Sequence, residues 1–164
     1  MTIQKYPERS PIDAIGAIKH LIKSKSICDI GCGSGDLLNE ILKQEISVDV
    51  YGVELLSWKI PKSRPYITCG DYTAINLPQC QVYMLWLESV HYKTVVERLP
   101  SGSMVIDLTS KPSHEQRETF LQTCTLLEVI DYSFNETEFG MSSGYTEEKW
   151  PLVGTRKIFV YRKN

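Results

Sequence analysis

The chain has 164 residues, of which 42% are hydrophobic and 23% charged, a size at which one domain can bury a core without a disulfide or metal. Its 18 basic and 20 acidic residues give a net charge of −2 without any Lys/Arg run; this is poor electrostatics for holding a phosphate backbone and disfavours nucleic acid as a substrate. The longest uninterrupted apolar stretch, 82–87, is far shorter than the ~20 residues of a membrane span, so we expect no membrane partner.

The cysteines and the first residues indicate the compartment. The five cysteines are odd in number and lack CxxC or Cys/His spacing, which predicts neither a disulfide framework nor a zinc site. The opening ten residues are polar and show no basic segment followed by an apolar one, so no secretory signal is predicted. We therefore expect a single domain, 1–164, in the reducing cytoplasm, with the oligomeric state left open.

Apolar periodicity predicts alternating helices and strands. The predicted strands are 26–30, 47–54, 66–69, 81–87, 103–109, 125–134 and 156–162, and the predicted helices are 11–24, 36–44, 91–99 and 113–122. The first helix has Ser10 as its N-cap and Pro11 at its first position. Pro61 and Pro65 limit any helix after the second strand to a short or irregular one.

This order of elements predicts a doubly wound α/β fold, with a mostly parallel seven-stranded sheet and an antiparallel last strand. The last two runs are expected to pair antiparallel as the closing strands. The segment between them, 135–155, is too long for a tight hairpin, a length usually found in functional or disordered loops. In such a sheet the ligand binds at the carboxyl ends of the strands, where the strand order reverses.

Three glycines follow the first strand at a strand-to-helix turn: Gly31, Gly33 and Gly35. They permit a tight turn and close approach of the backbone to a ligand, and the next helix aims its first amides at the same place. Asp36 stands where the dinucleotide fingerprint has its third glycine, and Asp29 precedes the first. These two carboxylates favour a cationic ligand over a pyrophosphate. S-adenosylmethionine, which has an ammonium, a sulfonium and no phosphate, fits that charge.

Acidic residues also follow the second and third strands. Glu54 lies 19 residues after Gly35 and can accept hydrogen bonds from both hydroxyls of a ribose, a role that fits either cofactor. Asp71 could accept from the adenine amino group, or it could close the strand by ordinary turn chemistry. Tyr72 could offer its backbone N–H or a ring edge, and Cys32 is expected to be a small residue facing the cofactor.

The segment 29–35, Glu54 and the pair 70–71, in this order, resemble the motifs of class I, Rossmann-like S-adenosylmethionine-dependent methyltransferases over most of the chain. The resemblance implies S-adenosylmethionine as cofactor, S-adenosylhomocysteine as product and no metal. Within that superfamily, the segments 51–55 and 84–87, with 99–106, are similar to the small protein-lysine methyltransferases of archaea and mitochondria. This second resemblance implies a protein lysine as acceptor.

Methyl transfer is an in-line displacement at an activated sulfonium, so alignment of nucleophile, carbon and sulfur does most of the work. An amine nucleophile must still lose its proton. A carboxylate could orient the incoming ammonium, and an aromatic wall would favour its neutral form by desolvation. Glu88 and Trp86, just past the fourth strand, are the candidates, although Trp86 could instead be a core or rim residue.

Several alternatives stay open. A small-molecule N- or O-methyltransferase would share the same cofactor site, and so would a non-catalytic module that binds S-adenosylmethionine. A nicotinamide-binding oxidoreductase is a more distant alternative. The histidines His20, His91 and His114 are expected at solvated surfaces and receive no role, because their surroundings in the sequence do not suggest nucleophilic catalysis.

Overall fold

The computed structural model describes residues 12–109, 114–135 and 153–164. Within these ranges, seven strands form one sheet in the order β3-β2-β1-β4-β5-β7-β6. The strands are β1 (Ser26–Ile30), β2 (Asp49–Glu54), β3 (Ile67–Cys69), β4 (Val82–Leu85), β5 (Met104–Asp107), β6 (Cys124–Asn135) and β7 (Val153–Lys163). The helices are α1 (Ile15–Ile22), α2 (Asp36–Lys43), α3 (Tyr92–Arg98) and α4 (His114–Thr123).

The predicted fold class is confirmed. Strands β1 to β5 pair in parallel, with β1 between β2 and β4, so the strand order reverses at the carboxyl end of β1. Strand β7 is antiparallel to both β5 and β6. Every residue of β4 is buried, which explains its unbroken apolar sequence, because a central parallel strand is covered on both faces.

Helices pack on both faces of the sheet. One buried cluster includes Ile18 of α1 and Leu38 of α2, and the other includes Val96 of α3 and Phe120 of α4. Each helix thus buries one apolar stripe against the strands. Two separate clusters on opposite faces are what a doubly wound sheet requires.

The predicted boundaries differ from the observed ones mainly at the ends of elements. The first helix begins as a 3₁₀ turn, Ile12–Ala14, and its predicted cap lies outside the described residues. After β2 the helix is reduced to the 3₁₀ turn Ser57–Lys59, as the prolines indicated. Strands β6 and β7 are longer than predicted because they pair from Cys124↔Lys163 to Asn135↔Val153. The rest of the predicted 135–155 loop lies outside the described residues.

Three further observations concern the chemistry available to the fold. No helix in the described part of the chain has the length and apolarity needed to cross a membrane. All five cysteines are free thiols, and three of them are buried. Among the described residues, no group of three His, Cys, Asp or Glu side chains is arranged to hold a metal ion.

Candidate functional site

The glycine turn lies between the ends of β2 and β4. Gly31, Gly33 and Gly35 have φ angles of 77°, 59° and 81°. These values lie in the left-handed region, which residues other than glycine rarely adopt. The Gly31 N–H donates to the Val53 carbonyl oxygen over 2.8 Å. A Cβ on Gly31 would lie 2.7 Å from the Trp86 carbonyl oxygen. The turn therefore needs glycine at position 31 for two reasons: the backbone angle, and the close approach of the Trp86 carbonyl oxygen just past β4.

The charge of Asp36 is compensated by an arginine. The guanidinium of Arg64 lies 2.6 Å from Asp36 Oδ1 and donates to the Ser34 carbonyl oxygen over 2.7 Å. Arg64 comes from the proline-flanked segment after β2, for which the sequence suggested no role. The ion pair reduces the negative charge that Asp36 offers to a ligand, so the expectation that Asp36 favours a cationic ligand loses support and stays a prediction.

Two acidic side chains are buried beneath the turn. Asp29 is 4% and Glu54 6% exposed. Burial, with the Glu54 carboxylate as a second cause, raises the pKa of Asp29 to about 8. The raised pKa favours the protonated form of Asp29, which can donate as well as accept a hydrogen bond. The expectation that the Asp29 charge favours a cationic ligand stays a prediction.

Glu54 stands at the carboxyl end of β2, the position predicted for it. Its Oε2 accepts a hydrogen bond from the Leu55 N–H over 3.1 Å. An ionised carboxylate offers about four acceptor positions. This geometry leaves the predicted ribose role of Glu54 chemically feasible.

Cys32, expected to face the cofactor, has a largely buried side chain. Its side chain is 8% exposed and belongs to the buried cluster beneath α2. The sulfur would lie 2.8 Å from a Cβ on Gly52, so a glycine in β2 leaves room for it. Burial also raises the pKa of the thiol well above its usual value. Its predicted contact with the cofactor stays a prediction.

Asp71 closes the turn after β3. Its Oδ1 accepts from the Thr73 N–H over 2.9 Å and from the Thr73 hydroxyl over 2.5 Å. These two bonds lower the pKa of the exposed carboxyl. The turn-closing interpretation is thus correct, and Oδ2, which bonds to none of the described residues, keeps the adenine role a prediction.

The Tyr72 ring is part of the core. It is 5% exposed, and its hydroxyl lies 2.8 Å from His91 Nδ1. Burial is the largest cause that raises the pKa of Tyr72 to about 12, so the phenol keeps its proton beside the imidazole. The ring thus has little exposed surface, and the predicted contacts with adenine, through the ring edge or the backbone N–H, both stay predictions. His91 is half-buried and bonded, which corrects its assignment as a solvated surface residue.

Trp86 and Glu88 follow β4 at the same edge of the sheet as the glycine turn. Trp86 is half-buried and packs against the cluster of α1 and α2, and its N–H lies 3.5 Å from the Ile30 carbonyl oxygen. Glu88 is exposed and precedes the 3₁₀ turn Ser89–His91. The structure therefore brings these residues to the edge where Gly31 and Glu54 lie, and their role toward an acceptor stays a prediction.

A hydrogen-bond network at the end of β5 was missed from the sequence. Asp107 is fully buried and accepts from the Thr109 N–H and from Gln116 Nε2, each over 3.0 Å. The Tyr92 hydroxyl contacts the Thr109 hydroxyl, lies 3.4 Å from Asp107 Oδ1 and accepts the Leu87 N–H over 3.0 Å. The available signal was an acidic residue ending a buried strand, as at Glu54, but its partners come from distant elements.

No protein-family model and no curated protein matches the chain. Solved structures do match, among them a SAM-dependent methyltransferase from Archaeoglobus fulgidus, with 15% identity over 92% of this chain and 91% of that chain and a TM-score of 0.56. A dimethyladenosine transferase from Plasmodium falciparum matches with 14% identity, 94% and 62% coverage and a TM-score of 0.56. The cyclase SpnF matches with 11% identity, 96% and 86% coverage and a TM-score of 0.60.

At these identities the likeness shows the fold, and the cyclase illustrates that structures of this shape are associated with more than one reaction. The seven mostly parallel strands and the antiparallel β7 agree with the sheet predicted from the sequence. The chain therefore has the Rossmann-like fold that these methyltransferases share.

Proposed function

We propose that the chain is an S-adenosylmethionine-dependent methyltransferase acting on an amine, with a protein lysine as its acceptor. The observation that carries this proposal is the buried Glu54 carboxylate at the end of β2, beside a glycine turn held in left-handed conformation. Together they form a place for a ribose and for a ligand that approaches the backbone closely. The shared fold supports the same reaction class.

In this proposal one S-adenosylmethionine lies across the carboxyl ends of β1 to β3. The turn 31–35 contacts the methionine part through its main chain, and Glu54 accepts from the ribose hydroxyls. Asp71 Oδ2 and the Tyr72 N–H hold the adenine. Since burial raises the pKa of Asp29 and Asp36 is paired with Arg64, we assign selection of this cofactor to hydrogen-bond geometry more than to negative charge.

The acceptor binds at the end of β4. The Glu88 carboxylate orients the incoming ammonium, and the half-buried Trp86 forms an apolar wall that favours the neutral amine. The bound ammonium first loses one proton to solvent, the lone pair of the resulting amine attacks the methyl carbon, and the carbon–sulfur bond breaks toward sulfur. The products are the methylated ammonium and S-adenosylhomocysteine. The exposure of Glu88 and of Val90, which is 75% exposed, supports an open rim that a protein substrate can reach.

One experiment tests the activity and the acceptor together. The protein is incubated with methyl-labelled S-adenosylmethionine and a cell lysate, and the label is followed into protein, RNA and small metabolites. Label in protein, located on lysine by mass spectrometry, is the expected result. Label confined to metabolites would make the chain a small-molecule methyltransferase and end the lysine assignment.

Calorimetry separates the remaining alternatives. Binding of S-adenosylhomocysteine without any transfer of label would leave a non-catalytic binding module. Binding of NAD in place of S-adenosylhomocysteine would overturn the proposal in favour of an oxidoreductase. A chain in which Glu88→Gln abolishes transfer but leaves S-adenosylhomocysteine affinity unchanged would support the acceptor role of Glu88.

A further inference from the structure

The segment that carries Trp86 and Glu88 is fixed at its centre by one hydrogen bond from another element. Leu87 is 8% exposed, and its N–H donates to the Tyr92 hydroxyl over 3.0 Å. Tyr92 is the first residue of α3, and 1% of its surface is exposed. The positions of Trp86 and Glu88 therefore depend on the position of the Tyr92 hydroxyl.

The Tyr92 hydroxyl is held in turn by β5. It contacts the Thr109 hydroxyl and lies 3.4 Å from Asp107 Oδ1, while Gln116 of α4 donates to Asp107 Oδ2 over 3.0 Å. Tyr92 also packs edge-to-face on Phe120, with ring centroids 5.7 Å apart. The network thus links β4, α3, β5 and α4 at the edge of the sheet where the acceptor is proposed to bind.

Asp107 is surrounded by neutral groups on each element packed against it. These are Tyr92 on α3, Gln116 on α4 and Tyr161 on β7, and the charged Arg117 of α4 lies over the Phe159 ring. Burial raises the pKa of Asp107 to about 6, although hydrogen bonds, led by the Thr109 N–H, act in the opposite direction. Its ionised form is consequently stabilised by hydrogen bonds to the same groups that place Tyr92.

We propose that Tyr92 and Asp107 are positioning residues, which hold the segment 86–88 in place for the methyl acceptor. They touch neither reactant and act through Leu87. The assignment of 86–88 as the acceptor side rests on the proposed function, but the mechanical link from Asp107 through Tyr92 to Trp86 does not.

The test uses Trp86 as the reporter. Trp58 and Trp150 are replaced by phenylalanine, so that Trp86 is the only tryptophan, and Tyr92→Phe is introduced into this background. The control is Tyr83→Phe, because Tyr83 is also fully buried, accepts the Cys80 N–H over 3.0 Å and donates to the Pro78 carbonyl oxygen over 2.6 Å. Tyr83 lies within β4 rather than beyond its carboxyl end.

Both variants are expected to melt a few degrees lower by roughly equal amounts, since each loses one buried hydroxyl. Only Tyr92→Phe should shift the Trp86 emission and raise its acrylamide quenching constant, by about twofold. Unchanged Trp86 emission and quenching in Tyr92→Phe, or equal changes in Tyr83→Phe, would overturn the proposal.

A pH profile adds a readout that simple loss of packing does not reproduce. In the background protein the Trp86 emission should titrate with a midpoint near pH 6, because protonation of Asp107 weakens the network. The transition should be absent in Asp107→Asn and in Tyr92→Phe and should persist in His91→Gln, which removes the nearby histidine. If Asp107→Asn does not fold, the pH profile of Tyr92→Phe alone tests the proposal. A transition that disappears in His91→Gln would be due to the histidine and would count against the proposal.

Failure of the proposed function is distinguishable from failure of this inference. Wild-type protein that binds no S-adenosylhomocysteine would overturn the proposed function while leaving the Trp86 measurements interpretable. Normal S-adenosylhomocysteine binding with an unresponsive Trp86 would overturn the positioning role alone.

Discussion

Strands β2 and β5 both end in a buried carboxyl group, Glu54 and Asp107, yet their surroundings differ. Asp107 receives hydrogen bonds from its own strand end, from α3 and from α4. Glu54 lies beside the glycine turn and a second buried acid, Asp29, whose pKa its charge helps to raise. Asp107 thus joins its strand end to α3 and α4 through hydrogen bonds, whereas Glu54 lies at a glycine turn beside a second acid, and buried acids that perturb each other are candidates for functional sites.

The largest expected effect concerns the turn on the β2 side of this comparison. Gly31→Ala should destabilise the protein by about 3 kcal/mol or more, since it adds a clash to an unfavourable backbone angle. Gly33→Ala is the matched control, because its φ is also positive but a Cβ there would meet nothing within 4 Å. Its cost should be only about 1 kcal/mol. Urea unfolding measures both, and equal losses would show that the contact with Trp86 does not matter.

The second prediction tests whether Glu54, unlike Asp107, binds a ligand. Glu54→Ala should weaken S-adenosylhomocysteine binding about 100-fold, as expected for two hydrogen bonds to a charged group. Glu54→Gln should lie between it and the wild type. Glu97→Ala, which removes an exposed glutamate from α3, serves as the control in the same calorimetry. Wild-type affinity in Glu54→Ala would remove the ribose role and with it the functional half of the comparison.

Arg64 sharpens the comparison by testing what holds the turn itself. Arg64→Met keeps much of the side-chain volume but removes the ion pair to Asp36 and the bond to the Ser34 carbonyl oxygen. We expect a loss of about 1 kcal/mol in unfolding free energy. Binding of S-adenosylhomocysteine should also weaken by a few-fold. The double variant with Asp36→Asn should lose little more than Arg64→Met, and additive losses would show that the two residues act separately.

A pH dependence of stability is expected from Asp29, and it is measured separately from the effects of the three substitutions above. Burial raises its pKa in the folded protein to about 8, above the ordinary value of 3.8, so the folded protein binds the proton more tightly than the unfolded chain. The associated stability is fully present below about pH 4 and is lost as the pH rises toward 8. The unfolding free energy of the wild type should decline between about pH 5 and pH 8, where only the folded protein keeps the proton. Asp29→Asn should reduce this decline. An unchanged slope would place the Asp29 carboxyl in a more polar environment.

Much of the architecture could be predicted because it depends on local patterns. The apolar run 82–87 predicted a buried strand, and the prolines at 61 and 65 predicted the reduced helix after β2. The glycines at 31, 33 and 35 predicted a turn of unusual backbone geometry. Each of these patterns depends on the backbone angles that Gly and Pro permit or on the hydrophobicity of neighbouring residues. Neither property depends on distant parts of the chain.

The electrostatics could not be predicted in the same way. Asp36 reads as a free anion until Arg64, 28 residues later, is placed against it. Asp29 reads as ionised until its burial next to Glu54 is known, and the Tyr72 ring reads as a ligand contact until its bond to His91 is seen. In each case the protonation or pairing depends on neighbours that only packing provides.

The sequence by itself determined the alternation of elements, the position of the glycine turn and the acidic end of β2. Only the tertiary structure decided which carboxyl groups keep a charge, which side chains face the core and which residues hold the segment 86–88. The reason is that backbone preferences and apolar periodicity act over a few residues. Burial, ion pairing and hydrogen-bond networks such as that of Asp107 join residues from four elements, so they exist only once the sheet has formed.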